Sequence, residues 1–270
     1  MSIAPIGIFD SGIGGLTVAG AIHRLLPNES TIYFGDTARV PYGPKSPETV
    51  RRYAREILDW LLHQEVKAIV VACNTATAHA LDDLRARSPV PVIGVIEPGA
   101  RAAAKATVNG RIGVIGTTGT VASGAYRLAL QHIRADLHVI EKACPLFVPL
   151  VEEGWFDHEA TRLVAEAYLR PLRNHEIDAL VLGCTHYPML KPLLHRVMGA
   201  EVRLIDSAEE TAGELAHVLN ELGLAAPAGG TPVQRWVATD DAARFANVGA
   251  VFMGDSPSPV ELAELGLLDA

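Results

Sequence analysis

The chain has 270 residues, is 49% hydrophobic, and sets 23 basic residues against 31 acidic ones for a formal charge of −8. That is ample for a large core, as one domain or two, and lacks the basic excess of a nucleic-acid or polybasic membrane binder. No apolar run approaches the roughly 20 residues that span a bilayer, and the start MSIAPIGIFD has neither the basic nor the long apolar region of a signal peptide.

A small-molecule ligand and a cytoplasmic address follow, with no nucleic acid and no membrane as partners. Cys73, Cys144 and Cys184 are too few and too far apart for a disulfide framework, and neither CxxC nor HExxH is present to hold zinc. No metal is expected.

Residues 5–26, PIGIFDSGIGGLTVAGAIHRLL, predict a strand through Ile6, Ile8 and Phe9, a polar glycine turn, and a helix from about Leu16. Thr31 to Phe34 predicts a second strand, followed by the long loop GDTARVPYGPKS, a place where function often sits. Ser46 as N-cap with Pro47 at the first helical position opens the next helix. Ala68 to Ala72 forms the strand that delivers Cys73, Ala76 to Ala86 is helical, and Pro91 to Val95 is another branched strand. Nearly continuous apolar strands alternating with helices are the pattern of a parallel sheet covered on both faces.

A second unit begins at about Glu97-Pro98. It reads as a helix through Ala100 to Ala106, a strand over Ile112 to Ile115 with a Gly/Thr turn, and a helix near Ser123 to His132. A strand near Leu137 to Ile140, the apolar segment CPLFVPLVEEGW and a helix opened by Asp157 come next. Leu180 to Leu182 is the strand that delivers Cys184, and Glu201 to Ile205 is a further strand. Ser207 and Glu210 predict a capping box for a helix ending near Leu222-Gly223. AAPAGGTP is a flexible connection, the tail resumes strand–helix–strand, and Pro259 to Leu265 reads as a last helix.

Two echoes organise this list. IVVACNTAT (69–77) and LVLGCTHYP (180–188) are each a branched apolar run, a small residue, a cysteine and a Thr-containing turn. IGIFDSG at the start aligns with IGVIGTTG from Ile112, at nearly the same offset as separates the two cysteines. The expected class is α/β, with two similar lobes related by pseudo-two-fold symmetry, each a mainly parallel sheet flanked by helices. Residues 1–97 plus 213–270 make the first lobe and 98–212 the second, with the active site between them.

Ligands of open parallel sheets bind beyond the carboxyl ends of the strands. Asp10-Ser11, Cys73-Asn74-Thr75, Thr117-Thr118 and Cys184-Thr185-His186 all fall there, and their hydroxyls and turn amides suit a carboxylate. Neither glycine-rich turn has nucleotide-loop spacing. A cysteine at a helix N-terminus is expected to have a lowered pKa, and two thiols on opposite faces of one carbon could remove and replace a proton. Asp10 and His186 are the natural proton-handling partners, with Glu152 as a third acid. The plain alternatives remain: a buried structural cysteine, a capping Asp10, a turn-bonding His186, a solvated Glu152, turn threonines, and a Tyr42-Gly43 pair that only packs its loop. Cys144, in an apolar segment, reads as structural.

FDSGIGGLTV, the VPYG loop, the CNTAT turn and the GCTHYP turn together resemble the glutamate racemases of the aspartate/glutamate racemase superfamily, over residues 6 to about 210. The resemblance implies cofactor-independent interconversion of L- and D-glutamate, with D-glutamate going to peptidoglycan. It implies that Cys73 and Cys184 are the acid/base thiols. Asp10, Ser11, Tyr42, Gly43, Asn74, Thr75, Thr185 and His186 then contact substrate, and Glu152 is an auxiliary acid. The five lysines (Lys45, Lys67, Lys105, Lys142, Lys191) lie in loops or helices away from the strand ends, so no Schiff-base cofactor is expected. A homodimer is one option for the assembly, which the sequence leaves open. The rivals are a sister racemase or isomerase, a two-lobed carboxylate binder, and a Cys-His hydrolase that would leave one cysteine idle.

Overall fold

The structure is a computed structural model that describes residues 1–265. Ten strands run β1 (Ile6–Asp10), β2 (Thr31–Gly35), β3 (Ala68–Val71), β4 (Val92–Gly94), β5 (Arg111–Gly116), β6 (His138–Ala143), β7 (Ala179–Gly183), β8 (Arg203–Ile205), β9 (Gln234–Ala238) and β10 (Val260–Leu262). The helices are α1 (Leu16–Leu25), α2 (Pro47–His63), α3 (Asn74–Arg87), α4 (Ile96–Ala106), α5 (Thr118–Ser123), α6 (Ala125–Ile133), α7 (Phe147–Glu152), α8 (Glu159–Arg173), α9 (Lys191–Met198), α10 (Ser207–Glu221) and α11 (Ala242–Met253).

Two parallel sheets result, in the orders β10-β9-β2-β1-β3-β4 and β6-β5-β7-β8. The run β2-β1-β3-β4 repeats as β6-β5-β7-β8, and the register repeats with it: Ile6 faces Ala68 as Ile112 faces Ala179. The strands β1, β2, β3 and β7 are buried along their whole length, as both-face coverage requires. Alternation with period two then sorts side chains. In the first sheet Ile6, Ile8, Tyr33 and Val70 pack with α1 and α10, while Phe9, Phe34, Ile69 and Val71 pack with α2 and α3. In the second, Ile112, Val114 and Val181 face α4 and α6, while Ile115, Leu180 and Leu182 face α7 to α9. Each Leu, Ile or Val so buried contributes about 1.5–3 kcal/mol.

The long crossover helix α10 follows the second sheet but buries Ala208, Ala212, Leu215 and Leu219 in the core of the first. β9 then pairs with β2, Thr31 facing Gln234.

Four local expectations are corrected. Pro259 to Leu265 is not a helix: Val260–Leu262 is a strand whose ladder with β9 gives its backbone the partners a helix would have supplied. Asp206, not Ser207, caps α10, its extended backbone letting its carboxylate accept from the Ala208 amide at 3.0 Å. His158, not Asp157, caps α8 through Nδ1. The helix expected near 123–132 is present as α6 but starts at Ala125, set off from α5 by Gly124, whose left-handed φ of +64° only glycine adopts freely.

Among the described residues, no helix is long and apolar enough to cross a membrane.

Candidate active site

β1, β3, β5 and β7 all end at the same place, where the two sheets meet. Asp10 is the last residue of β1 and is fully buried; its Oδ1 accepts from the Gly12 amide at 2.9 Å, and its Oδ2 accepts from Thr185 Oγ1 of the opposite lobe at 3.4 Å. Thr17 Oγ1, which also reaches Gly14 O, lies 3.4 Å from the Thr185 carbonyl. The close approach explains the GIGG turn: a Cβ on Gly14 would collide with the His186 ring and Thr185 Oγ1. On the other side of the site the Gly119 amide donates to Gly43 O at 2.8 Å.

Cys73 and Cys184 line one cavity, with Ser11, Val40, Pro41, Tyr42, Gly43, Asn74, Thr75, Thr117, Val148, Thr185 and His186. Its volume is about 30 Å³, room for roughly one water molecule.

Cys73 is the N-cap of α3, its sulfur accepting from the Ala76 amide at 3.4 Å and its thiol donating to Ser11 Oγ at 3.6 Å. Burial, reinforced by the Asp10 carboxylate, pushes this thiol up to about 12, against the Ala76 and Ser11 hydrogen bonds. The lowered pKa expected from its helix position is therefore overturned, because desolvation outweighs the amides. Cys184 stands before a short 3₁₀ turn (Tyr187–Leu190) that carries Pro188, so it caps no α-helix. Its partner is His186, Nδ1 lying 3.9 Å from the sulfur. His186 Nε2 meets Glu152 Oε1 at 3.1 Å.

Burial disfavours charge on His186, but its bonds to Cys184 and Glu152 and the nearby Asp10 win, raising it to about 10. Burial would likewise raise Glu152, yet His186 and Arg244 together hold it below the ordinary carboxylate value. Asp10 goes the other way: burial raises it, opposed by His186, the Gly12 and Gly15 amides and Thr185.

The other expected residues divide. Thr75 Oγ1 meets Thr117 Oγ1 at 2.8 Å across the lobes. Asn74 Oδ1 accepts from Tyr126 OH at 2.7 Å, which leaves its buried Nδ2 without a protein partner at the cavity wall. Tyr42 lines the cavity, but its hydroxyl is committed to Asp36. Asp10 and Glu152 stand behind the lining, touching it through Thr185 and His186. Thr118, the first residue of α5, is exposed and is not among the residues lining the cavity, whereas the helix's N-cap, Thr117, is.

Sequence reasoning missed Val40, Pro41 and Val148 in the lining, and Tyr126 behind Asn74. Val40 and Pro41 stood beside the singled-out Tyr42, whereas Tyr126 gave no signal. Cys144 is buried, donates to the Lys142 carbonyl at 3.6 Å and lies outside the cavity.

A model of the Asp/Glu/hydantoin racemase family matches residues 14–215. A glutamate racemase of Geobacter metallireducens is 54% identical over 92% of each chain. Among solved structures, the glutamate racemase isoform RacE1 of Bacillus anthracis has a TM-score of 0.94 at 43% identity, covering 98% of this chain and 99% of its own. The glutamate racemase of Francisella tularensis, solved with D-glutamate, has a TM-score of 0.92 at 38% identity, with the same coverage.

Proposed function

Since the chain belongs to the Asp/Glu/hydantoin racemase family, we propose that it interconverts L- and D-glutamate with Cys73 and Cys184 as a pair of acid/base thiols. The observation that carries the reading is the shared cavity: two sulfurs from equivalent strands of two lobes line one space. One must enter the reaction as thiolate and take the α-proton from one face. The other, as thiol, returns a proton to the opposite face, and the roles exchange with direction. The α-proton is weakly acidic, so the site must stabilise the developing carbanion by charge and position. Asn74 Nδ2 and the Thr75 and Thr117 hydroxyls are donors for a substrate carboxylate, and Ser11, supported by the buried Asp10 carboxylate behind the lining, suits its ammonium group. His186, bridged to Glu152, handles the proton of Cys184. No lysine is among the residues lining the cavity, in keeping with a reaction that runs without a Schiff base.

A cavity of about 30 Å³ is far too small for glutamate, so the lobes, 1–97 with 213–270 and 98–212 on our reading, must part to admit it. We place the activity in the cytoplasm, consistent with three free thiols, and assign its D-glutamate to peptidoglycan. Incubation with L-glutamate in deuterated water tests the proposal. D-Glutamate carrying deuterium at the α position is expected; product without α-deuterium, or no product, overturns it.

A further inference from the structure

The tail helix α11 belongs to the first lobe. Phe245 is fully buried there, 5.8 Å from the Tyr33 ring, and Asp241 caps the helix by accepting from the Arg244 amide at 2.9 Å. Yet two of its side chains reach the second lobe. Arg244 Nη2 lies 3.5 Å from Glu152 Oε2, the oxygen that His186 leaves free. Phe252 stands edge-on to the His186 ring, 5.5 Å between centroids and 84° between planes. It packs against the cores of both lobes.

We propose that Arg244 and Phe252 are positioning residues for the Cys184 side of the reaction. Arg244 anchors the outer oxygen of Glu152 and Phe252 braces the imidazole, so His186 keeps Nδ1 on Cys184 and Nε2 on Glu152. The inference rests on Cys184 being an acid/base thiol. A ring held at both nitrogens has one orientation to offer the sulfur. The titratable groups facing His186 are Cys184, Asp10 and Glu152, and Glu152 faces His186 and Arg244. Arg244 therefore favours the Glu152 carboxylate, and removing its charge makes that carboxylate easier to protonate.

The test is the pH profile of kcat/KM for the full chain. Arg244→Leu is expected to move the acid limb to higher pH by a few tenths of a unit, as suits a half-exposed ion pair. It should lower kcat several-fold with KM little changed, and Arg244→Lys should restore both. Phe252→Ala should lower kcat by about tenfold, and Phe252→Leu should recover most of it. In a His186→Gln background Arg244→Leu should cost nothing further, because its effect runs through that ring. An Arg244→Leu profile that superposes on wild type, a Lys variant as impaired as the Leu variant, or full additivity with His186→Gln overturns the inference. Should Phe252→Ala not fold, the Arg244 series decides alone. Wild-type protein that fails to exchange the α-proton refutes the racemase reading instead, so the two failures are distinct.

Discussion

Cys73 and Cys184 end equivalent strands and face one cavity, but the groups behind them differ. Cys73 caps a long helix and hydrogen-bonds a hydroxyl and an amide, with a buried carboxylate, Asp10, nearby. Cys184 caps no α-helix and instead has an imidazole, a carboxylate and a guanidinium in line behind it. The strand order and register occur twice, whereas the line of imidazole, carboxylate and guanidinium stands behind one sulfur only. On the proposed mechanism, a reaction symmetric in its chemistry is thus served by unlike bases. One thiol is held protonated by desolvation, and the other is tied to a residue that carries charge near neutrality.

The comparison breaks outright if either sulfur is dispensable. Cys73→Ala and Cys184→Ala are each expected to lower racemisation by at least about 10³-fold, with circular dichroism unchanged; two-way turnover near the wild-type rate in either variant would rule out the two-thiol scheme. Next in size is the contrast between the groups behind each sulfur. His186→Gln should cost on the order of 10²-fold in kcat, and Ser11→Ala on the order of tenfold; equal losses, measured by polarimetry, would erase the asymmetry.

Stability should carry it too. His186 binds its proton up to about pH 10 in the fold but only to about 6.5 when unfolded. Its contribution is therefore complete below pH 6.5 and lost as pH rises through 10. Cys73 adds a loss in the same direction above about pH 8.5, where the unfolded thiol ionises while the buried one holds its proton to about 12. Urea midpoints should fall from pH 6.5 to 10, and His186→Gln, unlike Ser11→Ala, should flatten that descent. The smallest effect expected is from Tyr126→Phe, which frees Asn74 Oδ1 to rotate. A rise in KM of about fivefold, the worth of one hydrogen bond, with kcat kept, would sharpen the assignment of Asn74 to binding.

The strands, their parallel pairing and the repeat were legible because apolar runs, glycine turns and two cysteine motifs carry them locally. Cys73, Cys184, Asn74, Thr75, Thr117, Thr185 and His186 all sit at strand ends, so position alone brought them to the cavity. What stayed hidden depends on long-range packing. The raised Cys73 pKa needs the burial supplied by both lobes, and Tyr126 and Arg244 are ordinary helix residues until another element lies across them. The last strand was misread because VELAEL offers a helical pattern, and only the waiting edge of β9 decides for a strand. Thr117, the N-cap of α5, lines the cavity, whereas Thr118 opens the helix with its side chain exposed, a difference set by the helix start and not written in the TTGT turn.

The pairing of β2 with β9 joins segments about 200 residues apart, and it sets an order of assembly during synthesis. The middle of the chain holds every strand of its own sheet and can finish while the ribosome is still working. The beginning must wait with an open edge until Gln234–Ala238 emerges. A chain cut short before residue 234 would leave that edge bare, a template for other unfinished molecules. Premature termination should therefore yield aggregates, while the central segment retains its protection from protease.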